Sequence, residues 1–514
     1  MGRLDGAGAA VRRLLASALL LGVLLPAPSR AHVGSPNVFF DGEAGPYPVR
    51  VIVRPPEVIP GLAEVTVRVK EGTAQQVTAQ PIDWKAGAKG APPPDAALPV
   101  PGGEGLWSAS LWLMEASSYS VEVRVSGEAG EGRVLVPVAA LPTRILTMER
   151  GMGWLLAGLG LFLFFGAVTL VGAAVRESTL PPGEAPDPRR LNLARTVAAL
   201  AGILLALILF AGKRWWDSVD ARARAGIYKP FNLETAARAE GGRAVLRLAI
   251  DDPDRKDWSP LMPDHGKLMH AFLIREPALD AFAHIHPVPA GEDAFEVTLP
   301  PLPAGTYRIY ADIVHESGFP QTLVDTVEVP AVAGDAPAPG APVPDPDDSW
   351  RHGPPVTGLL SAGPKLSILD EEGTQMLWHQ APLEAGRETD LRFEVRSKDG
   401  HPIPLEPYMG MLSHAAITKD DGKVFVHLHP MGSINMAAQQ AFETKIVPEA
   451  TPAPAGMAGM DHSAHAGHVG HGPSVVSFPY ELPEPGRYRI WVQVKSGGKV
   501  LTGVFDTEVG GVGK

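Results

Sequence analysis

Two stretches of this chain place histidines where they could close on one metal ion. The first has His270, a turn at Glu276-Pro277, and then His284 and His286 before Pro287. The second has His414, a turn at Asp420-Asp421-Gly422, and then His427 and His429 before Pro430. Residues two apart on a strand share a face, so each His-x-His presents two imidazoles to one side. A hairpin then brings the preceding histidine within reach, because directly opposed Cβ atoms lie about 4.5–5.5 Å apart and diagonal ones about 7–8 Å. In the second copy Asp421-Gly422 signals a type I′ turn, which pairs Asp420 with Lys423 and, counting back, His414 with His429. The first copy is one residue longer and needs a wider turn over Pro277 and Ala278. Three neutral imidazoles so placed can bind copper or zinc with bonds near 2 Å. Since the ligand form is neutral imidazole, binding is expected to weaken as pH falls toward about 6.

The flanking residues extend the ligand sets. Asp264–His270 aligns with Tyr408–His414, so the first copy adds His265 and Met269 and the second adds Met409 and Met411. Thioether beside imidazole suits copper, Cu(I) in particular, over zinc. A Gly-rich tract at 456–472 carries Met457, Met460, His462, His465, His468 and His471, a composition that binds metal loosely and at several points. Cysteine is absent, which excludes thiolate zinc sites, iron–sulfur clusters and blue-copper centres. The net charge of −12 argues against a nucleic-acid partner.

The elements that must position these residues read as mainly β: three immunoglobulin-like β-sandwich domains plus a two-helix transmembrane hairpin. Residues 1–31 have the form of a secretory signal, with Arg12-Arg13 before an apolar run and Ser29-Arg30-Ala31 as the cleavage site. Cleavage there would leave His32 as the mature N-terminus, where its amine and imidazole could chelate one ion together. Residues 32–145 form the first sandwich, in which His32 is the sole histidine. Residues 151–216 hold two apolar spans joined by a basic loop that includes Arg189, Arg190 and Arg195, and Trp215-Trp216 follows as an interfacial anchor. A signal followed by two spans leaves both flanking regions on the extracytoplasmic side of the membrane.

Residues 240–330 and 386–510 are an internal duplication. Gly305-Thr306-Tyr307-Arg308-Ile309-Tyr310 matches Gly486-Arg487-Tyr488-Arg489-Ile490-Trp491, and Asp325-Thr326 matches Asp506-Thr507. An Ala/Pro/Gly-rich linker is expected over 331–365.

The His-x-His-Pro repeats on such domains resemble YtkA-like extracytoplasmic heavy-metal-binding domains. The tract around Met460-Asp461-His462-Ser463 resembles the Met/His-rich segments of bacterial periplasmic copper-resistance proteins. His32 after the signal is similar to the N-terminal copper ligand of CopC-type carriers, although those sites also use a downstream Asp and His. The resemblance implies copper, Cu(I) or Cu(II), as the cargo. The expected function is a membrane-anchored copper-binding protein for tolerance, buffering or delivery to another envelope copper-handling protein, with no catalytic step. A copper- or zinc-dependent envelope enzyme is the alternative, with Asp264 and Asp280 as candidate bases. A structural or sensory module with incidental histidines is the third reading.

Overall fold

A computed structural model describes residues 32–34, 37–181, 183–251, 260–291, 293–332, 345–353, 357–359, 365–379, 382–446 and 473–511. The expected signal segment and the ligand tract at 456–472, with Met457, Met460, His462, His465, His468 and His471, lie outside the described residues.

The protein is mainly β, with six sheets and two long apolar helices among the described residues. Alternating strands such as Gly61–Val69 bury every second residue, so each sheet has an apolar face that must be covered. The sheets pair to cover it. Strands between Val38 and Ala140 form two sheets around one core that includes Tyr47, Val65, Val123 and Val136. The first repeat stacks a four-stranded sheet beginning at Asn232–Glu240 on a five-stranded one. The second repeat does the same with two five-stranded sheets.

Both hairpins lie inside the five-stranded sheets. In the first repeat the order is Pro320–Val329, Gly305–Val314, His270–Arg275, Ala281–Ile285 and Ser349–His352. In the second it is Lys499–Val509, Gly486–Ser496, Ser413–Lys419, Val424–Leu428 and His32–Val33. Each hairpin's outer edge is therefore covered by a strand from elsewhere in the chain: Ser349–His352 lies in the stretch expected as linker, and His32–Val33 pairs in parallel with Val424–Phe425.

These two sheets pack on each other. One face of each belongs to its own repeat's core, and the opposite faces meet through Phe272, Ile274, Phe282, Tyr310, Ala416, Phe425, Trp491 and Val504. Contacts across the seam are reciprocal. Tyr310 stacks on Phe425 at 3.9 Å, and Phe282 on Trp491, the equivalent pair, at 4.8 Å. Arg308 donates to the Gly422 carbonyl while its counterpart Arg489 donates to that of Leu279. The duplication thus folds as a pseudo-two-fold pair with an isologous interface.

The helices Arg150–Glu177 and Pro188–Ala225 each have a window of mean hydropathy 2.3, long and apolar enough to cross a membrane. The second begins with Asp187 as its N-cap and Pro188 in the first turn, and runs on past Trp216 to Ala225. The N-terminal unit packs on the second repeat: Phe39 meets Tyr480 edge-on, and Arg50 is bonded to Glu388 and Asp390.

Candidate metal centre

The registers set the triads. Ala271 is opposite Ile285 and Ala415 opposite Leu428, so one residue further along His270 faces His286 and His414 faces His429, as the sequence pairing requires. The turns differ from expectation. Gly422 has φ +67° and donates to the Lys419 carbonyl, but Asp421 is not in the left-handed region, so this is not a type I′ turn. The longer first turn has a cis Glu276–Pro277 bond and a left-handed Leu279.

His270, His284 and His286 each offer a nitrogen within 4.8 Å of the others, and so do His414, His427 and His429. Five of the six residues are 0–4% exposed, and the His427 side chain is 8% exposed. Each triad lies on the inter-repeat face, so the two sites are neighbours across the seam. The His284 and His427 rings are 5.6 Å apart across the seam, and His270 and His427 5.8 Å.

Hydrogen bonds fix which nitrogen points inward. His270 Nε2 faces the Asp264 carbonyl at 3.1 Å, and His414 Nε2 faces that of Tyr408 at 3.2 Å. His284 Nδ1 is 2.9 Å from Gln493 Oε1, whose amide nitrogen is held by Ser349. His427 Nδ1 is 3.3 Å from Asp312 Oδ2, at the position equivalent to Gln493. His286 Nδ1 bonds to Asp348 at 2.9 Å, and His429 Nδ1 to the Ile434 carbonyl at 3.2 Å. Five of the six outer partners are acceptors outright, and Asp312, pushed by burial up to about 7, is one when ionised. A neutral imidazole has one N–H, and each ring has an outer atom that can take it. With all six protons outward, the inner nitrogens carry lone pairs.

Those lone pairs face one another. His270 Nδ1 is 3.1 Å from His284 Nε2, and His414 Nδ1 is 3.1 Å from His427 Nε2. His286 Nε2 and His429 Nε2 are buried with no hydrogen-bond partner among the described residues. Protonation is not the relief. Burial and then the neighbouring His286 push His270 down to about 3, and burial followed by His265 pushes His429 down to about 3. Burial also holds His284, His414 and His427 well below the usual histidine value. A metal ion relieves all of it: tetrahedral bonds near 2 Å set neighbouring nitrogens about 3.3 Å apart.

The other expected ligands fall differently. Met269 is fully buried in the first repeat's own core, so it is not a ligand; successive strand residues point to opposite faces, and His270 takes the metal face. Met411 is buried and closes a tight turn with Tyr408. His265 and Met409 occupy equivalent turns, and the His265 ring is 5.2 Å from His429. His32 pairs with Val424, three residues before His427, which is about 10 Å along a strand. Asp280 is paired with Arg275, and Asp264 is capped by Asn435 and the Ala437 N–H, so neither expected base is free. A third group, His286, Asp345 and Asp348, could also hold an ion, but His286 already donates to Asp348 and Lys267 pairs with Asp345. The sequence reading missed Asp312, Gln493 and Asp348. Alignment of the repeats signals the first two, which stand equally far past Gly305 and Gly486 and can both accept a proton.

The pattern of a family described as "Domain of unknown function (DUF8832)" matches residues 228–331 and 369–511, the two repeats together. No curated protein matches the chain. Among solved structures, a biofilm associated protein BSP domain is 8% identical with TM-score 0.14, covering 97% of this chain and 70% of that one. Dimeric latent PorU from Porphyromonas gingivalis is 8% identical with TM-score 0.13, covering 93% of this chain and 34% of that one. Scores this low give neither likeness any weight for fold or function.

Proposed function

We propose that this chain is a membrane-anchored, extracytoplasmic copper-binding protein that holds two ions where its repeats meet, for tolerance, buffering or delivery to another envelope copper-handling protein. The observation that carries this reading is six imidazoles packed away from solvent, each with one ring nitrogen against an outer oxygen and the other turned inward toward its triad. Such outer acceptors orient ligands and raise their basicity in metal sites. Asp348 behind one triad adds negative charge that favours a cation, and Asp312 behind the other, pushed by burial up to about 7, would be drawn into its ionised form by a cation held at that triad. Copper is favoured over zinc by Met409 and Met411 close by in sequence, and by the Met/His tract. Burial supports holding an ion over turnover, since a catalytic ion keeps an open position that substrate can reach.

The test is metal analysis of the full chain purified in detergent without a histidine tag, with anaerobic Cu(I) and aerobic Cu(II) and Zn(II) titrations. The tract's four histidines and two methionines are replaced by serine to silence it. Two tight copper equivalents are expected. His270→Ala and His414→Ala should each remove one, and stoichiometry indifferent to both substitutions would refute the reading. Tighter zinc than copper would overturn the choice of metal alone.

A further inference from the structure

We infer that the two metal sites exchange their fourth ligands across the repeat interface and are chemically unequal: His265 of the first repeat completes the second triad, and Met409 of the second repeat completes the first. This rests on the reading of both triads as metal sites.

The argument begins with two turns. Asp264-His265-Gly266-Lys267 closes with reciprocal Asp264–Lys267 backbone bonds, and Tyr408-Met409-Gly410-Met411 closes in the same way. His265 has φ +50° and Met409 φ +51°, each followed by a left-handed glycine. Left-handed backbone is unfavourable for both residue types, and glycine or asparagine would occupy it more easily. Strain repeated at equivalent positions is typical of side chains held for function.

His265 does not serve its own repeat. Its ring centre is 5.2 Å from His429 and 5.5 Å from His414, but 6.3 Å from His270. Its side chain is 8% exposed, and its Nε2, 3.8 Å from Asp264 Oδ1, is buried without a hydrogen-bond partner among the described residues. By its ring distances it stands beside the second triad, across the seam from its own repeat. The pseudo-two-fold that relates Tyr310–Phe425 to Trp491–Phe282 carries His265 onto Met409 and the second triad onto the first. Met409 is itself buried. The second site is therefore four imidazoles, and the first is three imidazoles with a thioether. Thioether selects Cu(I), while an all-imidazole set also suits Cu(II) and zinc.

Glycine fits both turns without strain, so His265→Gly and Met409→Gly remove the ligands while sparing the fold. In the tract-silenced full chain, copper is titrated anaerobically as Cu(I) against a chromophoric competitor, and the loaded protein is measured by copper X-ray absorption. His265→Gly should weaken one equivalent at least tenfold and leave the other unchanged. Met409→Gly should weaken the other equivalent and abolish a sulfur shell that wild type shows at one sulfur per two coppers. Each truncation also removes buried side chain, so urea midpoints of the metal-free variants are read beside the titrations, and it is the selectivity for one equivalent that carries the test. Two equivalents unmoved by either substitution, or a sulfur shell surviving Met409→Gly, would overturn the exchange while leaving the triads standing. Failure of the parent chain to bind copper would overturn both.

Discussion

A neutral imidazole has one proton to give, and in this protein the acceptors around each triad decide where it goes. Gln493→Leu removes the acceptor behind His284, frees that ring to turn, and leaves the second triad untouched. We expect copper affinity at the first site to fall about 10–100-fold, as loss of such partners does elsewhere, with the second site unchanged in competition titrations. The same burial sets a pH dependence. Above about 6.5 His270 and His429 are neutral in folded and unfolded chains alike. Below it the unfolded chain takes up protons, whereas folded His270 and His429 do so only near 3. The unfolded state then binds more protons, so stability falls with pH between 6.5 and about 3. Each ring costs about 1.4 kcal/mol per pH unit in that window. Urea midpoints of the metal-free chain should drop from pH 7 to pH 5, with a shallower slope in His270→Gln/His429→Gln; a slope unchanged by the double substitution would refute the assignment. Copper loss near pH 6, expected from free imidazole, should shift to lower pH, because burial weakens the proton as a competitor.

The hairpins themselves were legible in the sequence. The spacing of His270 to His284-x-His286 and of His414 to His427-x-His429 determines face and register, and both came out as read. Two things were hidden. Alternation could not show that His270–Arg275 and Ser413–Lys419 are covered on both faces, because a doubly buried strand is a continuous apolar run whose second partner is distant in sequence. Nor could local pattern separate Met269, which points into the core, from His270 beside it until the strand's two faces were assigned. The seam between the sheets is what turns two modest triads into one dry centre. Phe272 is wedged there, stacked on His284 at 4.2 Å and reaching His427 at 4.8 Å. Phe425, stacked on Tyr310, is fully buried. Phe425→Ala should cost about 3–5 kcal/mol, as large aromatic truncations in cores do. It should also weaken both copper equivalents, because it loosens the face on which both stand. Equilibrium urea unfolding and a Cu(I) titration of the same variant test this, and a stability loss with intact affinity at both sites would separate seam from centre.

The N-terminal unit bears on the metal centre although it supplies none of the six histidines. The loop after His429 runs into it: Met431 and Ser433 exchange backbone bonds with Asp41 and Phe39, and Ile434 is buried in its core. The Ile434 carbonyl is the acceptor that orients His429, so packing of that unit reaches the second site through one peptide group. These contacts also hold the N-terminal unit and the repeats together. Gly432 is the point of closest approach. Its φ is +111°, and a Cβ there would sit 2.1 Å from the Phe39 carbonyl oxygen. Gly432→Ala must push the loop away from the N-terminal unit and carry Ile434 and His429 with it. The second copper equivalent should weaken at least tenfold. The first, oriented by Asp348 and Gln493 and touched by the loop only through Asn435 and Ala437 on Asp264, should lose less. Equal loss at both sites would mean that the substitution acts through the seam, and no loss at either would mean that His429 is held without the N-terminal unit.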